Sequence, residues 1–268
     1  MADIMKKVKE ELTLESVLMA AMKTPGVKIR RDVFLRKELV KYCTDETINL
    51  AIRYNPAKAG ISRDVVNKIS KTVIDYETTK VTALSVAASL PSSGAAVVAV
   101  GAATADITSY FVFILRTVQE LAYLYGFEQF DFNEDNVDSE TMNSVMVFLG
   151  VMFGVQGAAS TLNKLANTIA EHVAKKLAQK ALTKGTIYPI VKQIATKIGI
   201  RMTKQIFADT VASAIPLVGS LASGGLTYAM FRPNCMKLRK NLMSYNLCDP
   251  NYYRTIEVEY TEVENTEL

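Results

Sequence analysis

Apolar and polar side chains alternate with a helical period along most of the chain. In the clearest example, apolar residues recur every three or four positions from Leu162 through Ala166 and Ile169 to Leu177, while polar residues such as Lys164 fall between them. A period of about 3.6 residues places the apolar side chains on one face of a helix. We therefore predict an amphipathic helix here, with its polar face toward solvent.

Breaks in this pattern divide the chain into helices. Proline and glycine end or interrupt helices, and the candidate breakers are Pro25, Gly26, Pro56, Pro91, Gly94, Gly126, Gly185, Pro216, Pro233 and Pro250. Thr44 and Ser62 are predicted N-caps, because a hydroxyl at that position can accept a hydrogen bond from the first helical turn. The pattern predicts an all-α fold: a compact multi-helix bundle of about seven or eight helices, with long core helices rich in small residues.

Three long segments carry no charged residue, and they are 81–105, 141–163 and 210–231. Each is long enough to cross a bilayer as a helix, which needs about 20 residues. Because Pro91 and Pro216 interrupt the first and the third, 141–163 is the strongest candidate for a spanning helix. Its small residues Gly150 and Gly154 would equally let two helix backbones approach closely in a protein core. Core packing and membrane insertion therefore both remain open.

Charge is distributed unevenly along the chain, although its 31 basic and 27 acidic residues leave a net charge of only +4. The C-terminal segment 250–268 holds five Glu and a single Arg, and we predict an extended acidic tail because no second strand is available to pair with its β-forming residues. The segment 164–204 is basic, with Glu171 as its one acid. Its nine basic residues are Lys164, Lys175, Lys176, Lys180, Lys184, Lys192, Lys197, Arg201 and Lys204.

The basic segment 164–204 predicts an anionic partner. Its only aromatic side chain is Tyr188, so it offers no stacking platform for single-stranded nucleic acid, and no recognition-helix motif is present. Nucleic acid is therefore disfavoured. Lysines on amphipathic helices beside charge-free segments fit an anionic membrane surface or a membrane protein partner. A solvated lysine-rich face is the plain alternative, and a homo-oligomer also stays open.

The cysteines and the N-terminus indicate the compartment. Cys43, Cys235 and Cys248 are odd in number and lack the close spacing of a zinc site or a disulfide framework, so a reducing compartment is expected. The segment 1–15 mixes acidic and basic residues and no apolar run follows it directly, so no signal peptide is predicted. We expect a cytoplasmic protein.

No motif of a common enzyme class occurs, whether phosphate-binding, dinucleotide-binding, nucleophile-elbow or zinc-protease. His172 is the only histidine, too isolated for a metal site or a catalytic triad. The acidic loop 127–140 has Asn136 where a calcium loop needs glycine. We expect no metal and no cofactor.

Asp106 is the most unusual acid of the chain, because it follows an apolar helix start. A carboxylate there is costly unless it is paired or hydrogen-bonded, and Ser109 and Tyr110 lie one helical turn further on. The plain interpretation is a structural acid that bonds to a neighbouring helix. The functional interpretation is a polar ligand site.

A family resemblance begins at the same acid. Small residues from Gly94 lead to Ala105-Asp106, and the stretch from Arg116 to Gly126 then reads Arg-Thr-Val-Gln-Glu-Leu-Ala-Tyr-Leu-Tyr-Gly. This resembles the EcsC family, in which a small-residue segment precedes an Ala-Asp pair and then an Arg-x-x-Gln-Glu-[ILV]-Ala-x-x-Tyr-Gly signature. The run Ile-Pro-Leu-Val-Gly-Ser at 215–220 is similar to the turn before the last helix of that family.

The resemblance covers roughly residues 60–245 and implies three segments: 1–60, an N-terminal helical segment; 61–248, an EcsC-like helical domain; and 249–268, the acidic tail. EcsC-like proteins are helical, mostly bacterial and without an established enzymatic activity, and the family is named for a gene beside an ABC transporter. The resemblance thus implies a protein peripheral to, or inserted in, the inner membrane. The polar positions to test are Asp106, Ser109, Tyr110, Arg116, Gln119, Glu120 and Tyr125.

Four hypotheses of function follow. The first is a membrane-associating helical protein that binds anionic lipid or a membrane protein, with no reaction identified. The second is an amphitropic toxin or pore former whose charge-free segments insert into the bilayer. The third is a soluble lipid-modifying hydrolase with a polar site around Asp106. The fourth is a soluble interaction module that binds a stable protein partner and no membrane.

Overall fold

The computed structural model of the chain describes residues 14–89, 99–132, 139–174 and 221–256, and it describes the side chains of 16–84, 108–132, 141–171 and 230–256. All regular structure in these ranges is helical, so the predicted all-α fold is confirmed. The α-helices are α1 (Leu14–Met22), α2 (Arg31–Leu39), α3 (Asp45–Arg53), α4 (Arg63–Ser89), α5 (Ala99–Leu124), α6 (Ser139–Met152), α7 (Ala158–Ala174) and α8 (Leu221–Leu242). A 3-10 helix (Asn246–Cys248) and a short helical segment at 250–256 follow α8.

Helix α5 is the centre of the bundle, because α1, α2, α4, α6 and α8 all pack against it. Its residues Ile114, Leu115 and Val118 are fully buried. Buried apolar residues from Val17 to Tyr253 belong to one hydrophobic core. The proposed division into three segments stays a prediction.

Both predicted N-caps are confirmed. The Thr44 hydroxyl accepts a hydrogen bond from the Thr47 backbone N–H at 3.4 Å, and the Ser62 hydroxyl accepts one from the Val65 N–H at 3.4 Å. Each bond satisfies one of the backbone donors that a helix start leaves without an intrahelical partner. Helices α3 and α4 therefore begin where the sequence predicted.

The candidate spanning segment 141–163 is not a single helix. Helix α6 ends at Met152, and the chain turns at Gly154, whose φ of 68° lies in the left-handed region. The Val155 N–H donates to the Gly150 carbonyl at 2.7 Å, which is the closing bond of a Schellman motif. The apolar residues of this segment instead pack within the hydrophobic core. No helix in the described ranges is both long enough and apolar enough to cross a membrane.

Pro233 was expected to break a helix, and that expectation is wrong. It lies inside α8, which continues without interruption to Leu242. Proline removes one backbone hydrogen bond and costs about 3 kcal/mol in a helix interior. The side chains of Phe231 and Cys235, on either side of it, are fully buried and anchor the helix to the core.

The start of the acidic tail also differs from the prediction of an extended chain. Residues 250–256 are helical, and Tyr253 is buried there. The Asn55 Nδ2 atom donates to the Tyr253 hydroxyl at 3.0 Å, and this bond ties the segment to the loop after α3. Tertiary packing therefore overrides the β-forming preference of these residues. Residues 257–268 lie outside the described residues.

Candidate functional site

The polar residues predicted on α5 do not form one site; they contact three different parts of the bundle. Asp106 lies in α5, but its side chain is outside the described ones, and Ser109 is half-buried. The Tyr110 ring packs edge-on against Phe231 at 5.8 Å. Its hydroxyl interacts with Asn234, and burial raises the pKa of the phenol well above its usual range. Tyr110 thus joins α5 to α8.

Arg116 is the centre of a buried charge cluster between α4 and α5. Its Nη2 atom lies 3.1 Å from Glu77 Oε1 and 3.8 Å from Glu120 Oε1. It also donates through Nη1 to the Gly26 carbonyl. Glu77 is fully buried and Glu120 is 6% exposed. Two carboxylates therefore share one guanidinium in the core.

One guanidinium cannot neutralise both acids, and the protonation of Glu120 reflects this. The Oε2 atoms of Glu77 and Glu120 are both buried, and neither has a hydrogen-bond partner among the described residues. Burial raises the pKa of Glu120 to about 8, and the negative charge of Glu77 adds to the rise while Arg116 opposes it. Glu120 is accordingly mostly protonated at neutral pH, so the cluster carries one Glu–Arg ion pair and one neutral acid.

The next polar residues of α5 hold the loop between α1 and α2. Gln119 donates through Nε2 to the Val27 carbonyl at 2.8 Å, and its Oε1 accepts from the Ile29 N–H at 3.0 Å. The Tyr123 hydroxyl donates to the Ile29 carbonyl at 3.2 Å. Arg116 adds a bond to the Gly26 carbonyl, so the backbone of three loop residues is hydrogen-bonded to side chains of α5. Arg116 and Gln119 thus act as an anchor for the N-terminal helices.

Tyr125 belongs to a separate polar network on the other side of the bundle. Its hydroxyl lies 3.0 Å from Ser70 Oγ and donates to Asn67 Oδ1 at 3.3 Å. The Nε atom of Arg239 in α8 donates to the same Ser70 hydroxyl at 2.8 Å. Burial raises the pKa of Tyr125 to about 12, against the opposing effect of Ser70 and Arg239. This network connects α4, the end of α5 and α8.

The sequence interpretation missed several residues that complete these contacts. Three of them are buried polar residues that were not predicted as site residues: Glu77, Ser70 and Arg239. Each lies on a helix face that the helical period predicts to be buried. Arg31 was missed too. It donates to the Ile52 carbonyl at 2.7 Å and to the Tyr54 carbonyl at 3.1 Å, and so caps the end of α3.

The basic segment is described only at its beginning. Lys164 is exposed on α7, while Leu165 and Ala166 beside it are buried, as the amphipathic period predicts. The remaining members of this set lie outside the described residues: Lys175, Lys176, Lys180, Lys184, Lys192, Lys197, Arg201 and Lys204.

The contacts described above join helices and loops of the bundle to one another. The described side chains do not include three or more metal-ligating groups close together.

Comparison of the chain with protein-family models, with curated proteins and with solved structures finds no match. The likeness to the EcsC family therefore stays a resemblance of sequence motifs.

Proposed function

We propose that the protein binds peripherally to anionic membranes through the lysine-rich segment 164–204. The observation that carries this proposal is the charge of the segment, which has nine basic residues and one acid. Each lysine or arginine near an anionic surface contributes about 1 kcal/mol of attraction. A segment with a large positive excess would therefore hold a soluble bundle at such a surface without a spanning helix.

Two features of the described structure support the proposal. Helix α7 directs Lys164 to solvent while its apolar face packs into the core, so the segment begins on the surface. Helix α8 adds four basic residues and no acid, and its Lys237 and Lys240 are exposed. Positive charge is thus present on two helices that leave their apolar faces in the core.

Vesicle flotation tests the proposal directly. The full-length chain should float with vesicles of phosphatidylcholine and phosphatidylglycerol at low salt, and not with phosphatidylcholine alone. Binding should weaken as salt is added, because exposed charges are screened over about 10 Å at 0.1 M ionic strength. Failure to bind the anionic vesicles at low salt would refute the proposal.

A charge-matched pair of triple variants locates the binding surface. Replacement of Lys175, Lys176 and Lys180 by Glu should abolish flotation. The same replacement of Lys23, Lys28 and Lys41, which are exposed elsewhere on the bundle, should weaken it much less. Equal losses in the two variants would mean that net charge, and not segment 164–204, determines binding.

Dye release from the same vesicles separates peripheral binding from pore formation. A protein that stays at the headgroup level should leave the vesicles sealed at saturating coverage, whereas insertion of the charge-free segments would release the dye. Release that accompanies binding would favour the amphitropic pore former over the peripheral protein.

A further inference from the structure

A groove with unpaired positive charge lies between α4 and α8, apart from the lysine-rich segment. Its volume is about 610 Å³, which is in the range of small-molecule sites. Three basic residues line it, Lys68, Lys71 and Arg239, together with the acids Asp64 and Asp75. The groove is open to solvent along α4, so a ligand could enter without a change in the bundle.

Arg239 is the most unusual of these residues because it is buried without an acid. It is 6% exposed, and no carboxylate in the described part of the chain lies within ion-pair distance of it. A buried charge is costly unless it is paired. Its Nε atom is fixed by the Ser70 hydroxyl at 2.8 Å, and Tyr125 supports Ser70 from behind. The guanidinium is therefore held in place at the groove before any ligand arrives.

The remaining charges leave the groove positive. Asp75 is neutralised by Arg232, whose Nε atom lies 2.8 Å from its Oδ1 atom. The Lys68 ammonium lies 5.4 Å from the centre of the Tyr42 ring and has no acidic partner in the described ranges. Lys71 is exposed and likewise makes no ion pair with any described residue. Among the described residues that line the groove, three cations therefore lack an acidic partner, and Asp64 is the one acid without a cationic partner.

We propose that this groove binds a phosphate group, carried either by a soluble phosphate ester or by a phospholipid headgroup. Arginine presents a planar fork that matches two oxygens of a phosphate, and lysines supply point charges to the others. A phosphate dianion is attracted to the three cations that line this groove more strongly than a carboxylate monoanion is. The groove is lined by residues of α4 and α8 and by Met243, and the proposal does not rest on lipid binding by segment 164–204.

Isothermal titration of the full-length chain with inorganic phosphate and with glycerol 3-phosphate tests the proposal. Lys71→Ala should weaken binding about fivefold through loss of one ionic contact. Arg239→Lys should weaken it at least tenfold, because lysine keeps the charge but loses the fork. Lys23→Ala is the matched control: it removes the same charge from an exposed position that does not line the groove, and it should leave binding unchanged.

Flotation with phosphatidylcholine vesicles that carry phosphatidic acid identifies the source of the phosphate. If the soluble compounds bind and Lys71→Ala weakens that binding, the ligand is a soluble phosphate ester. If only the vesicles bind, and Lys71→Ala weakens flotation more than Lys23→Ala does, it is a lipid headgroup. Circular dichroism checks that each variant folds; should Arg239→Lys unfold, Lys71→Ala decides alone. The proposal is overturned if neither probe binds, or if Lys71→Ala and Lys23→Ala behave alike.

Discussion

Glu120→Gln should make the protein more stable at neutral and alkaline pH while leaving its stability at acid pH nearly unchanged. Glutamine has the shape of a protonated glutamate and cannot ionise, so it mimics the form that the core favours. In the native protein, the carboxyl of Glu120 is buried beside Glu77, with Arg116 as the cation both acids share. Lys37 and Glu38 act on it from the neighbouring helix α2.

The size of the effect follows from the pKa. Folding raises the pKa of Glu120 from its ordinary value of 4.5 to about 8. Because the native state then binds the proton more tightly than the unfolded state, the stabilisation is complete below the unfolded pKa and is lost as pH rises through the folded pKa. One pKa unit corresponds to about 1.4 kcal/mol, so the loss is roughly 3 kcal/mol between about pH 4.5 and pH 7 and roughly 5 kcal/mol by complete ionisation.

Urea unfolding of the wild type and the variant over this pH range measures the difference. The free energy of unfolding of Glu120→Gln minus that of the wild type should lie near zero at about pH 4.5 and grow to several kcal/mol by about pH 8. Glu171→Gln, at an exposed position on α7, should leave a flat difference and serves as the control. A flat difference for Glu120→Gln as well would refute the assignment of a buried, protonated acid.

Three further substitutions and one matched control test local contacts by the midpoint of chemical unfolding. Gly126→Ala should destabilise the protein by about 3 kcal/mol, because φ is 94° and the new Cβ would lie 3.0 Å from Leu247 Cγ. Gly157→Ala, with a φ of 85° and nothing within 4 Å, should cost only about 1 kcal/mol, so equal costs would contradict the steric argument. Arg31→Lys should cost about 2 kcal/mol, since lysine cannot reach the carbonyls at the end of α3 that arginine bonds together; an unchanged midpoint would exclude that cap. Thr44→Ala should cost about 1 kcal/mol, and a loss of helix signal without a shift in midpoint would contradict a role in overall stability.

The parts of the fold that depend on neighbouring residues could be predicted from the sequence. The caps at Thr44 and Ser62 and the helix end at Gly126 follow from the chemistry of a few adjacent positions. The all-α class follows from the apolar period. The turn at Gly154 was harder to predict from the sequence. Two small residues four positions apart in a charge-free segment are found both in membrane helices and in the cores of other proteins. The left-handed backbone of Gly154, which ends the helix, is visible only in the structure.

The polar contacts could not be predicted, because they join residues that are distant in the sequence. Arg116 pairs with Glu77, 39 positions before it, and Arg239 bonds to Ser70 across 169 positions. Periodicity indicates which face of a helix is buried, but the partner of a polar residue on that face depends on how two helices are aligned along each other. The contact of Arg116 with Glu120 can be predicted, because residues four apart in a helix lie side by side, whereas its contact with Glu77 on another helix cannot.

The anchoring of the α1–α2 loop on α5 has a consequence for the order in which the chain folds. Its hydrogen bonds to Gln119 and Tyr123 span 90 to 94 residues of sequence. As the chain leaves the ribosome, the first three helices therefore emerge long before the side chains that fix their connection exist outside the exit tunnel. We expect these helices to wait in a loosely collapsed state, and native protection of their amides from hydrogen exchange to develop together with that of α5. Nascent chains stalled before Arg116 should accordingly remain sensitive to protease over residues 14–53.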